Sequence, residues 1–294
     1  MEVATVSIDV DVADDATAER VAAEAWDAGA LGLEEQEGSE GGIRVRIYAP
    51  ELQAAQLCAS LERALGAAAR VAPAEPVVPR DWSQAWRDGL EAVRVSPRLV
   101  VAPSFVETRA EPEERVLIID PGQAFGTGHH ASTRLALSLL DDVLAALGSE
   151  VEHARVLDAG TGTGVLAMGA AALGAAHAIG FDLDPVAVCE ARLNARLNAL
   201  AARTAFFIGP LEALAPIRFH VIVANMIRTE VMPLIPGFAH ALAPEGVLIL
   251  SGLLEADREA IELQVAQSGL AVAEERSEAD AGDRWVGYRL GPAG

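Results

Sequence analysis

The chain has no lysine. All 22 of its basic residues are arginine, they face 43 Asp and Glu, and the formal net charge is −21. A GC-rich coding bias accounts for the missing lysine, but the charge has a physical consequence. Binding to bare nucleic acid is driven by counterion release from a basic surface, which this composition does not offer. A basic protein is the partner it favours. Cysteine is nearly as scarce. Cys58 and Cys189 lie far apart and give neither a metal spacing nor a redox pair, so no metal is expected and the chain suits a reducing cytoplasm. Aromatics are 4% of residues although 51% are hydrophobic. Alanine fills the difference, which lets helices pack closely. No apolar run of about 18 residues is free of charge or glycine, so no membrane span is expected. The opening residues MEVATVSIDVDVADD lack the basic start and apolar stretch of a secretion signal.

What is present divides into parts. Residues 1–75 read as a small domain. VATVSIDV alternates apolar and polar, as a half-buried strand does. The helix pattern ATAERVAAEAWDAG ends at Gly29, and the strands ALGLEE and IRVRIYA follow. A second helix runs from Pro50 to Gly66, and ARVAP is a final edge strand. The order β-α-β-β-α-β is the split, ferredoxin-like arrangement. Fifteen Asp and Glu stand against five Arg here, which suits a domain that docks a basic protein. Residues 76–95 read as a stiff linker with a short helix, on which Trp82 and Trp86 share one face for packing. From residue 96 to 294, helix and strand alternate: helix 131–147, strand 154–158, helix 163–173, strand 178–182, helix 185–200, strands 204–208 and 219–224, helix 229–242, strand 246–251, helix 255–268, and strands near 271–276 and 284–290. This is an α/β pattern, a doubly wound and mostly parallel seven-stranded sheet ending in a hairpin at its edge. Ligands bind such sheets beyond the carboxyl ends of the strands.

At that rim lies VLDAGTGTG, Val156 to Gly164. An apolar strand ends in Asp158, Gly160, Gly162 and Gly164 alternate with small residues, and an apolar helix follows. Asp182 closes the next strand, twenty-two residues after Gly160. Strand, glycine loop, helix, strand, acid is how a Rossmann-like domain holds an adenosine-containing cofactor. The glycines alone leave two cofactors open, because Gly162-x-Gly164-x-x-Ala167 also satisfies the dinucleotide fingerprint. Asp158 tilts the choice. It would repel a pyrophosphate on the loop, whereas S-adenosyl-L-methionine carries a sulfonium and an ammonium and no phosphate. Asp182 then suits the ribose hydroxyls, as an acceptor for two O–H donors.

Two further segments reach the rim. DPGQAFGTGHHASTRLAL, Asp120 to Leu137, packs Phe125, Thr127, His129 and His130 around two glycines and runs into a helix that Ser132 or Thr133 would cap. HVIVANMIRTE ends an apolar strand in Asn225, whose carbonyl offers an acceptor to the cofactor.

DPGQAFGTGHHAST, VLDAGTGTG, GFDLDP and VIVANMI, in this order behind a small domain and a DW…W linker, resemble the bacterial lysine methyltransferases of large-subunit ribosomal protein L11 (uL11), the PrmA family. The resemblance covers nearly the whole chain, and FGTG-x-H is its family-specific part. It implies a class I fold, S-adenosylmethionine as methyl donor, and transfer to lysine amines, with N-terminal amines as a second acceptor. Thr133 matches the cofactor-contacting threonine, Gly160 the loop glycine, Asp182 the ribose acid, Asn225 the asparagine and His130 the histidine; His129 falls at a variable position. Ser132 stands where the family usually has Thr, and the stretch before Val156 is longer, in GSEVEH.

Asp158, Gly162 and Thr127 complete the expected cofactor contacts, and Asn225, His130 and Phe125 the expected catalytic set. His130 serves either as a proton acceptor or to position its loop. No metal takes part, and a monomer in the cytoplasm is expected. Two rivals stay open. One is a class I methyltransferase acting on RNA or a small molecule, against which stand the acidic surface and the departure of Asn225-Met226-Ile227 from Asn-Pro-Pro-aromatic. The other is an NAD-dependent oxidoreductase, for which Asp158 is a poor fit.

Overall fold

The structure is a computed structural model describing residues 5–37, 42–76, 90–120, 122 and 124–293. Residues 1–89 and 90–294 form two compact units. In the first, strands β1 (Thr5–Val12), β2 (Gly32–Glu37), β3 (Ile43–Pro50) and β4 (Ala69–Val71) alternate with helices α1 (Asp15–Asp27) and α2 (Glu51–Leu65) in the βαββαβ order. The strands pair as β2-β3-β1-β4, all antiparallel, with the two-residue β5 (Glu75–Pro76) added against β1. The period of two in β1 decides its faces. Val6, Ile8, Val10 and Val12 are buried with Leu57, Leu61 and Leu65 of α2, while Asp9 and Asp11 point away and take bidentate bonds from Arg46 and Arg44. The hydrogen bonds from Arg46 hold the Asp9 carboxyl below its ordinary range. The tryptophan pair of the linker lies outside the described residues.

The second unit opens with a three-stranded sheet, β6 (Val93–Ser96), β7 (Leu99–Ala102) and β8 (Arg115–Ile118). The sequence reading carried the linker through residue 95. Val93 and Val95 are instead strand, because Val95 is buried against the core of the large unit. Helix α3 (Ala131–Ala146) then leads into the main sheet: β9 (Arg155–Ala159), α4 (Val165–Ala172), β10 (His177–Asp182), α5 (Pro185–Leu197), β11 (Thr204–Ile208), β12 (Phe219–Asn225), α6 (Arg228–Val231), α7 (Ile235–Ala241), β13 (Leu242–Leu254), α8 (Arg258–Gln267), β14 (Leu270–Asp280) and β15 (Asp283–Pro292). The GSEVEH stretch before β9 is a 3-10 turn, Gly148–His153. Seven strands pair in the order β11-β10-β9-β12-β13-β15-β14. β15 is antiparallel to both neighbours, so the sheet is mixed and the closing hairpin forms its edge, as the sequence pattern predicts.

The expected continuous helix over 229–242 is broken. Pro233 and Pro236 lack the N–H that a helix interior needs, and a 3-10 turn at Met232–Leu234 separates α6 from α7. α3, α4 and α5 pack on one face of the sheet, with Leu137, Leu140, Met168 and Val188 fully buried. Phe238, Ile261 and Tyr288 fill the other face. Each such side chain contributes roughly 1.5–3 kcal/mol. The strand order reverses between β9 and β12, and the loops that leave their carboxyl ends open a crevice there.

Candidate active site

The glycine loop after β9 is built on left-handed backbone. Gly160, Gly162 and Gly164 have φ of +65°, +51° and +82°. Gly162 has a second constraint: a Cβ there would lie 2.3 Å from the carbonyl oxygen of Phe125. That approach joins two of the sequence motifs. The Thr163 amide donates to the Phe125 carbonyl (3.0 Å) and its hydroxyl to the Gly126 carbonyl (2.7 Å). The FGTG segment thus lies stitched along the glycine loop.

Asp158 sits behind this loop. Its side chain is fully buried; one oxygen accepts from the Thr161 hydroxyl (2.7 Å) and the Ala167 amide (3.0 Å), and the other has no partner. Burial pushes its carboxyl up to about 7, and the charge of Asp182 adds to the rise. The glycine-loop pattern predicts this carboxylate beside the cofactor. The structure gives it to the loop's own hydroxyl and the first turn of α4, and it does not line the cavity. Asp182 does line it. Its two oxygens accept from the amides of Gly162 and Asp184, each at 3.0 Å, and keep lone pairs for further donors.

His130, not Ser132 or Thr133, caps α3. Its ring turns back so that Nδ1 accepts from the Ser132 amide (3.2 Å) and lies 2.7 Å from the Ser132 hydroxyl, which places both hydroxyl residues in the first turn. An acceptor at Nδ1 leaves the neutral ring's proton on Nε2. Phe125 and Trp285 meet the imidazole edge-on, with ring centroids 5.4 and 4.5 Å away. Thr133 is fully buried, and its hydroxyl accepts from the side-chain amide of Asn225 (3.2 Å). The carbonyl oxygen of Asn225 is buried with no partner.

These elements enclose a cavity of about 710 Å³ at the carboxyl ends of β9, β10 and β12. Phe125, His130, Gly160, Gly162, Asp182 and Asn225 line it; Thr127, Thr133 and Asp158 do not. Trp285, brought in by β15, had no signal in the sequence beyond its place after a hairpin turn. The wall carries the carboxylates Asp182, Asp184 and Glu230, and no arginine among the described residues. A pyrophosphate would meet only like charge there. A cationic, phosphate-free nucleoside is compatible with such a wall, where Asp182 keeps acceptor lone pairs and the Asn225 oxygen has no partner. No group of His, Cys, Asp and Glu among the described residues is placed to hold a metal.

The family described as ribosomal protein L11 methyltransferase (PrmA) matches residues 5–286. The chain belongs to this family. A ribosomal protein L11 methyltransferase of Pelotomaculum thermopropionicum is 38% identical over 253 residues, 84% of this chain and 79% of that protein. One from Trichlorobacter lovleyi is 40% identical over 181 residues, 62% of this chain, and there the match spans less than two thirds of the relative, 59%. Among solved structures, the ribosomal protein L11 methylase of Lactobacillus delbrueckii subsp. bulgaricus superposes with a TM-score of 0.61 at 26% identity, over 69% of this chain and all of that one. The α/β fold with a mostly parallel sheet is therefore the class I methyltransferase fold. No helix among the described residues is long and apolar enough to cross a membrane.

Proposed function

We propose that the chain transfers methyl groups from S-adenosylmethionine to lysine-type amines of ribosomal protein L11. The observation that carries this is a cavity walled by three carboxylates, with no arginine among its described lining residues and with Asn225, whose side-chain oxygen has no partner, in that lining. When bound, the sulfonium supplies an already activated methyl group. What the chain must do is align the amine, which is worth about 7–11 kcal/mol, and receive it neutral. Removing a proton from an ordinary lysine at pH 7 costs about 4–5 kcal/mol. The apolar wall of Phe125, Met226, Ile227 and Trp285 disfavours the charged amine and reduces that cost. The Asn225 oxygen accepts one N–H and turns the lone pair to the methyl group, while its amide is held by Thr133. His130 positions the loop in this reading, since its Nδ1 serves the helix cap.

Gly160, Gly162 and Asp182 hold the nucleoside, with Asp158, Thr127 and Thr133 supporting from outside the lining. The domain of residues 1–75, with fifteen acids against five arginines, docks the basic substrate. A monomer working in the cytoplasm completes this reading, and the net charge of −21 disfavours direct binding to bare nucleic acid.

Calorimetric titration with S-adenosylmethionine and with NAD is expected to show binding of the first only; tight NAD binding would overturn the reading. Labelled cofactor incubated with ribosomal protein L11 and ribosomal RNA should place label in the protein, by mass spectrometry. Asn225→Ala is expected to lower kcat about 10²- to 10³-fold, as for loss of one oriented polar contact to the reacting centre. Full activity and full cofactor affinity in that variant would remove Asn225 from the mechanism.

A further inference from the structure

Arg134 lies one turn into α3, outside the cavity, and was not among the residues the sequence marked. Its guanidinium nevertheless gathers three acceptors from two distant parts of the chain. It donates to the carbonyl of His129, pairs with Glu278 at 2.6 and 2.7 Å, and reaches Asp280 at 3.4 Å. Asp280 in turn accepts the Ala131 amide (2.8 Å), one of the N–H groups that a helix start leaves without an intrahelical partner. That bond, with Arg134 and His130 nearby, holds the Asp280 carboxyl below its ordinary range. Glu278 and Asp280 belong to β14, and Trp285 is the register partner of Glu278 across the hairpin. Arg134 is only 23% exposed, and a planar fork with several acceptors is a fixed geometry that a lysine cannot copy.

The consequence is spatial. Two rings in the cavity wall, His130 from the loop before α3 and Trp285 from β15, meet with centroids 4.5 Å apart. Apart from that contact, Arg134 and the Asp280–Ala131 bond tie the loop to the hairpin. We propose that Arg134 is a positioning residue for methyl transfer: by joining the His129 carbonyl to Glu278 and Asp280 it sets His130 against Trp285 and fixes the acceptor side of the cavity. This rests on the methyltransferase reading, but the tie itself can be read without turnover.

The test uses the full chain with Trp26, Trp82 and Trp86 changed to Phe, so that Trp285 alone fluoresces. In this background Arg134→Ala, Arg134→Lys and Glu278→Gln are compared. Each is expected to increase acrylamide quenching of Trp285 and to lower kcat about ten- to hundred-fold, the range for a misplaced reacting geometry. The dissociation constant of S-adenosylhomocysteine should change by less than about threefold, because the nucleoside contacts are elsewhere. Unchanged quenching together with unchanged kcat would overturn the proposal. So would a fall in kcat matched by an equal loss of S-adenosylhomocysteine affinity, which would report general unfolding of the site. If the unaltered protein binds no methyl donor, the methyltransferase reading fails while the quenching comparison still decides the tie.

Discussion

Gly162→Ala is expected to weaken S-adenosylmethionine binding at least about 100-fold, or roughly 3 kcal/mol. Two effects act at this position. An L-residue at φ +51° costs about 1–2 kcal/mol. The added Cβ would also lie 2.3 Å from the Phe125 carbonyl oxygen, a backbone atom that can yield only by lifting the FGTG segment off the glycine loop. Gly148→Ala separates the two. Gly148 has φ +55° but nothing within 4 Å of a Cβ, so it carries the backbone cost alone. Both variants should lose similar thermal stability from the backbone term, and only Gly162→Ala should lose calorimetric cofactor binding. If Gly162→Ala binds within about threefold of the unaltered protein, the join between the two segments does not shape the site.

The second large effect is a dependence on pH. The folded state raises the Asp158 carboxyl from 3.8 to about 7, chiefly by burial. Below pH 3.8 the group is protonated folded or unfolded and its neutral form is tolerated in full. As pH rises the unfolded chain ionises first, so stability is lost progressively until the folded group titrates near 7. The whole loss is on the order of 4 kcal/mol. Asp158→Asn keeps the shape and an acceptor for Thr161 and Ala167 but has no charge to bury. Relative to this variant, the unaltered protein is expected to lose about 3 kcal/mol between pH 5 and pH 8, measured by urea unfolding. Most of the change should fall below pH 7. A difference that stays constant across that range would mean that Asp158 is ionised in the fold throughout.

The main lines of the fold were legible because their signals are local. Alternating Val and Ile in β1, the glycines of the loop and the spacing to Asp182 each act within a few residues or one βαβ step. They led to the sheet, the crevice and the nucleoside end of the cavity. The failures have separate causes. Val93 and Val95 became strand because the core of the large unit buries Val95. Pro233 and Pro236 interrupted a helix whose apolar period was otherwise sound. Ser132 looked like the cap by residue type, yet the helix already starts at Ala131 and the His130 ring accepts from the Ser132 amide.

By itself, then, the sequence determined an α/β chain with a glycine-loop crevice for a nucleoside and a surface suited to a basic partner, through periodicity, spacing and net charge. It also named Asn225 and Asp182 as strand-end polar groups. Tertiary structure alone decided what those groups face. It placed Asp158 behind the loop rather than in the cavity lining, and it left the Asn225 oxygen without a partner by setting Thr133 against the amide 92 residues away. It also brought Trp285 to the cavity wall and, outside the cavity, paired Arg134 with Glu278, the register partner of Trp285. Such contacts depend on the packing of distant elements, and no local pattern of residues encodes them.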